Sequence, residues 1–133
     1  MAGKPSLSAH EWHQRAIAAE QRGAKDEAER IITQGLGEHP REAALHDSAG
    51  NLAMRRGEYA LAAERFATAA RLAPTHLPFA INVAIAQTQA DAPEAALAAL
   101  TPHESAGRSD ARYCSTRANA ARLAGDLARA ARW

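Results

Sequence analysis

The chain has 133 residues, of which 47% are hydrophobic but only 5% aromatic, so any core must be built from small aliphatic side chains. That length suits one domain. A formal net charge of +1 excludes a strong overall field for nucleic acid or membrane. The single cysteine, Cys114, excludes an intramolecular disulfide.

Residues 1–7 read as a flexible lead-in containing Gly3 and Pro5, with no apolar run of the signal-peptide kind. Ser8 and Glu11 form a capping-box pattern that predicts a helix to about Arg22, ended by Gly23. A second helix is predicted over about Lys25–Leu36, with Pro40 barring continuation. A helix over about Glu42–Arg56 then ends at Gly57, and another over Tyr59–Leu72 is closed by Pro74. The third pair runs from Pro78 to Ala90, turns at Asp91, and resumes at Pro93 until about Leu100. Residues 102–110 read as an irregular polar connection after Pro102. Asp110 is a candidate N-cap for a helix to about Ala124, with Gly125 ending it and a short second helix starting at Asp126. No stretch alternates with the period of a strand, and none has the apolar length of a membrane span. The expectation is a soluble protein of a reducing compartment, most simply the cytoplasm.

These elements repeat with a period of 34 residues. Gly23, Gly57, Asp91 and Gly125 occupy the turns, Ala28, Ala62, Ala96 and Ala130 follow them, and Pro40 and Pro74 close two units. A fixed period of this size implies stacked supersecondary units. The units fall at about 9–42, 43–76 and 77–110, with a truncated fourth at 111–133.

The segment Ala43–His76 resembles a tetratricopeptide repeat. Gly50 takes the small site on the first helix, Gly57 the turn, Ala62 and Ala69 the small sites on the second helix, Phe66 its aromatic position and Pro74 the closing proline. Trp12, Ala16, Gly23, Ala28, Ile32, Gly35 and Pro40 match in the first unit. The third keeps Ala84, Ala96 and Leu100, and the fourth keeps Ala118, Gly125 and Ala130. The resemblance implies an all-α, right-handed α–α superhelix (solenoid) of about three and a half units that binds a protein or peptide partner and has no catalysis of its own. Arrays rich in Ala and Arg, as this one is, resemble those that precede transferase domains. That adds a second reading, an N-terminal accessory module of a larger bacterial enzyme, for example a sulfotransferase-like one.

In this family peptides commonly bind a concave groove lined by the first helices. Helical spacing places His13, Ile17 and Glu20 there in the first unit, and Asp47, Asn51 and Met54 in the second. Ile81, Ile85 and Thr88 follow in the third, and Ser115, Asn119 and Arg122 in the fourth. Asn51 and Asn119 can each donate to and accept from a peptide backbone. Ile81 and Ile85 would form an apolar strip on the groove floor. The clamp that some relatives use for a C-terminal carboxylate is not reproduced. His13 and Ile17 replace its basic residue and asparagine, and a shifted set of Asn51, Asn82 and Arg112 would include the repelling Asp47.

The fourth unit has no counterpart of Ile32 or Phe66. Either the helix continues beyond Trp133 in a longer chain, or a partner or second copy covers the end, with Leu127 and Trp133 as contact residues. Residues 126–133 are expected to fray in isolation or to be buried in such a contact.

Other chemistry is poorly supplied. His10 and His13 have two-ligand spacing but no identifiable third ligand, so neither metal nor cofactor is expected. Cys114 lies near Arg112 and Arg117 but takes the register position of Trp12, which predicts a buried structural thiol. Residues 111–133 carry Arg112, Arg117, Arg122, Arg129 and Arg132 against Asp126 alone. Arginine suits phosphate, but the scarcity of aromatics argues against base stacking, and a nucleic-acid partner is not expected.

Overall fold

A computed structural model describes residues 7–131. Eight α-helices follow one another in that span: α1 (Ala9–Gln21), α2 (Lys25–Glu38), α3 (Ala43–Arg55), α4 (Tyr59–Leu72), α5 (Leu77–Gln89), α6 (Pro93–Leu100), α7 (Glu104–Gly107) and α8 (Ala111–Ala131). No strand occurs among the described residues. No helix there is long and apolar enough to cross a membrane.

The repeat is visible at the level of single backbone bonds. Gly23, Gly57 and Asp91 all take left-handed backbone, with φ of 77°, 75° and 62°. The amides that follow donate back across the turn at the same register: Ala24 to Ala19 at 2.9 Å, Glu58 to Ala53 at 2.9 Å and Ala92 to Gln87 at 2.8 Å. Such a turn satisfies carbonyls that the helix end would otherwise leave unpaired. Asp91 does there what glycine does in the other two units, because a short polar side chain tolerates that conformation. At the start of the array Ser8 and Glu11 form the reciprocal capping box. The Asp110 carboxylate accepts from the Tyr113 amide at 2.9 Å, capping α8.

Within each of the first three units the helices pair, and the core is divided serially. Ala16, Ala19, Ala28, Ile32 and Leu52 join units one and two. Ala53, Ala62, Phe66, Val83 and Ala86 join two and three. Ile81, Ala84, Ala96, Leu100, Tyr113 and Ala120 join unit three to α8. Each cluster involves neighbouring units only, as expected of a quasi-one-dimensional stack. Small residues permit the close helix crossings: a Cβ on Gly50 would lie 2.5 Å from the Phe66 ring, and one on Gly35 3.0 Å from Trp12.

Three expectations are corrected. Residues 102–110 are largely helical rather than irregular: a 3-10 turn spans Thr101–His103 and α7 follows it. Pro102 sits in the first turn of that segment, where its missing N–H is tolerated. Gly107 then gives the close approach, since a Cβ there would lie 2.4 Å from the Tyr113 ring. Cys114 is exposed, not buried; Tyr113, one residue earlier, fills the core and donates its hydroxyl to the Leu100 carbonyl at 2.8 Å. Finally, α8 runs straight through Gly125, so the expected turn and second helix at Asp126 are absent and the helix extends to Ala131. Arg122 and Arg129 both pair with Asp126 across that point, at i,i+4 and i,i+3 spacing, which favours continued helix.

Candidate functional site

The first helices of successive units, α1, α3, α5 and α8, are tied side by side by polar contacts. Arg55 of α3 bridges to Glu20 of α1 at 3.1 Å. The Asn82 amide of α5 donates to the Asp47 carboxylate of α3 at 2.8 Å, and Arg112 of α8 donates to the Asn82 carbonyl at 2.8 Å. A hydrogen-bonded ladder thus crosses three consecutive units with one polarity: a donor-only guanidinium at one end, a carboxylate at the other. Burial pushes the Asp47 carboxyl above the usual carboxylate range, while the Asn82 hydrogen bond and the nearby His13, His76 and Arg112 pull it back.

Asn82 bridges Asp47 and Arg112, so all three side chains are engaged within the array. Their separations of 35 and 30 residues depart from the 34-residue period, so the ladder does not repeat one register position. Ile81 is corrected outright: at 1% exposure it belongs to the core cluster and presents no surface to a groove. Ile85 is half-buried against that cluster.

The structure brings the other expected residues of the third and fourth units together. Ile85, Thr88, Ser115 and Asn119 line one recess of about 280 Å³ between α5 and α8, with Gln89 and Thr116. Asn119 accepts from Arg122 at 2.8 Å, so its carbonyl is already engaged. In the first two units His13, Ile17 and Met54 are partly exposed, and Asn51 is exposed. Asn51 makes no side-chain hydrogen bond among the described residues. Leu127 is 52% exposed; Trp133 and residues 1–6 lie outside the described residues.

Among the described residues no group of three His, Cys, Asp or Glu side chains is placed to hold a metal ion. Of the arginines weighed for polyanions, Arg112 donates to Asn82 and Arg122 to Asn119, and Arg122 and Arg129 share the single Asp126 carboxylate.

Paired helices, left-handed turns at one spacing and a serially divided core define a tetratricopeptide-like helical-repeat solenoid. Comparison with known proteins agrees on the architecture. The solved structure of the MamA RS-1 ArsTM double mutant matches with a TM-score of 0.78, over 90% of this chain and 67% of that one, at 19% identity. At that identity the likeness carries the fold alone. No protein-family model matches the sequence, and no curated protein matches it.

Proposed function

We propose that this chain is a protein-recognition scaffold that holds an extended peptide segment against the face formed by α1, α3, α5 and α8, without catalysis of its own. The observation that carries this reading is Asn51. Its neighbours on that face are taken up internally, Asp47 by Asn82 and Glu20 by Arg55, whereas its amide is exposed and unengaged. A primary amide offers both a donor and acceptors, which is what one residue of an extended backbone presents. Met54 and Ile17 supply apolar contact beside it, and the recess at Ile85 and Ser115 offers a place for a side chain further along.

The test is to select peptides from a random display library on the wild-type chain and titrate the best binders against Asn51→Ala. Loss of a hydrogen-bonded pair predicts affinity about five- to tenfold weaker. Because Asn51 is exposed, the fold should be unaffected. Equal affinity for both proteins would remove Asn51, and with it the reading of this face.

A further inference from the structure

The 34-residue period places four equivalent surfaces on the first helices. They are Trp12, Ala16 and Ala19 on α1; His46, Gly50 and Ala53 on α3; Ala80, Ala84 and Gln87 on α5; and Cys114, Ala118 and Ala121 on α8. In units one to three the second helix of the same unit covers this surface. Gly35 of α2 packs on Trp12, Phe66 of α4 packs on Gly50, and Ala96 and Leu100 of α6 share a cluster with Ala84. On α8 the same positions are exposed, and Gly125 and Ala128 extend the exposed surface along the helix. The cause is the continuation of α8 through Gly125: residues 125–131 extend the helix and do not fold back over this surface.

This surface is not a generic solvated face. A recess of about 380 Å³ lies along it, lined by Tyr113, Cys114, Ala118 and Ala121 and edged by Arg108, Arg117 and the Glu104 carboxylate. Arg117 flanks it on one side, and Arg122 and Arg129 on the other. The carboxylates bridged to these three arginines are Glu104 and Asp126, so positive charge is in excess. Arg108 makes no salt bridge among the described residues.

We infer that the outer face of α8, distinct from the peptide-reading face, is a docking site for one amphipathic helix of another protein. That helix has small residues where it crosses Ala118 and Ala121, and carboxylates along its flanks. The three covered copies of this surface show the shape of the occupant: α2, α4 and α6 cross theirs with Ala28, Ala62 and Ala96, each fully buried. The arginines define its charge. A second copy of this chain is the poorer match. Two α8 faces would bring two arginine borders together, and the outer face of α1 offers Glu11, Gln14 and Arg15, all exposed and polar.

The probe is a synthetic peptide of residues 24–39, the α2 sequence that covers the equivalent surface in unit one. It carries Asp26, Glu27, Glu29 and Glu38 against Lys25 and Arg30. The readout is the rate at which a thiol reagent modifies Cys114 in the full chain. Since Cys114 is the only cysteine and is exposed, that rate reports this surface alone. Saturating peptide should slow modification at least about fivefold, because reaction needs an accessible thiolate. The protection should weaken as salt is raised. It should be lost in Ala118→Glu, an exposed position whose change leaves the core intact, and should persist in Asn51→Ala. That last arm separates this site from the peptide-reading face.

Absence of protection at about 1 mM peptide, the weakest affinity worth the name of docking, would overturn the inference. Equal protection of wild type and Ala118→Glu would do the same. Protection that appears without peptide and grows with protein concentration, together with a doubled solution mass, would assign the surface to self-association and overturn the proposed heterotypic partner.

Discussion

Three glycines stand at one register position, and the structure gives them two different conformations. A single substitution at each separates those states by sign. Gly23 and Gly57 have φ of 77° and 75°, whereas Gly125 lies inside α8 without positive φ. A Cβ added at any of the three meets nothing within 4 Å, so packing cannot confuse the comparison. At Gly57 an alanine must hold left-handed backbone, which costs about 1–2 kcal/mol and is offset only partly by the stiffer unfolded chain, so Gly57→Ala should lose about 1 kcal/mol. At Gly125 the same change replaces a poor helix former by the best one and should gain about 0.5–1 kcal/mol.

Urea unfolding followed by circular dichroism reads the first loss directly. The Gly125 gain is better read locally. Leu127 shares a helix face with Tyr113 and Ala120 yet is 52% exposed, so by that point α8 has run past the helices that support it. Native-state hydrogen exchange at amides after residue 125 should slow by about two- to fivefold in Gly125→Ala, the kinetic equivalent of that gain. If Gly125→Ala instead destabilises the chain as Gly57→Ala does, Gly125 is a turn. The straight α8, and the exposed face argued from it, would then be wrong.

Gly50→Ala should destabilise although it improves helix propensity. The new Cβ would stand 2.5 Å from two Phe66 ring atoms, and Phe66 is held on its other sides by Ala53, Ala62, Val83 and Ala86. Overpacking of about 1–3 kcal/mol then exceeds the roughly 1 kcal/mol gained from propensity; a melting temperature equal to or above wild type would refute the tight crossing. The pH dependence of Asp47 gives another test. Its carboxyl is raised in the folded state, so the fold binds that proton more tightly than the unfolded chain does, and protonation favours folding. Relative to Asp47→Asn, the wild type should therefore gain stability as pH falls through the carboxylate range. The opposing contribution of Glu11, whose carboxyl is lowered by its hydrogen bonds to Ser8, is present in both proteins and cancels. A wild-type-minus-variant stability difference that stays flat with pH would show that Asp47 is not held in the buried ladder.

The parts of the fold that were legible in the sequence are those where one backbone requirement recurs. A left-handed turn every 34 residues needs glycine or a short polar residue, and a close helix crossing needs a small one, so Gly23, Gly57, Asp91, Gly50 and Ala62 marked three units by residue type alone. Gly125 misled because glycine permits a turn without enforcing one. At Gly125 the backbone stays helical, and the Arg122–Asp126 and Arg129–Asp126 pairs favour that continuation. Cys114 misled in a related way. Because residues 125–131 continue α8, the register position of Trp12 is left exposed there, and the core is filled from the adjacent face by Tyr113.

The same reasoning explains why the candidate surfaces were only partly legible. Helical spacing fixes which side of a helix a residue occupies, but not how deeply a neighbouring helix buries that side. Ile81 and Ile85 have the same spacing rationale, yet Tyr113 and Leu100 close over Ile81 while Ile85 keeps part of its surface at the recess. Asp47 and Asn51 are likewise one helical turn apart, and a cross-unit partner engages the first while the second stays exposed. Residues available to a ligand are therefore those left over after the units have bonded to one another. Among the described residues two surfaces meet that criterion in different ways, one around Asn51 and one along Cys114, Ala118 and Ala121. The first is the polar surface proposed to read an extended backbone. The second repeats the surface that α2, α4 and α6 cover in the first three units, and on α8 it is exposed.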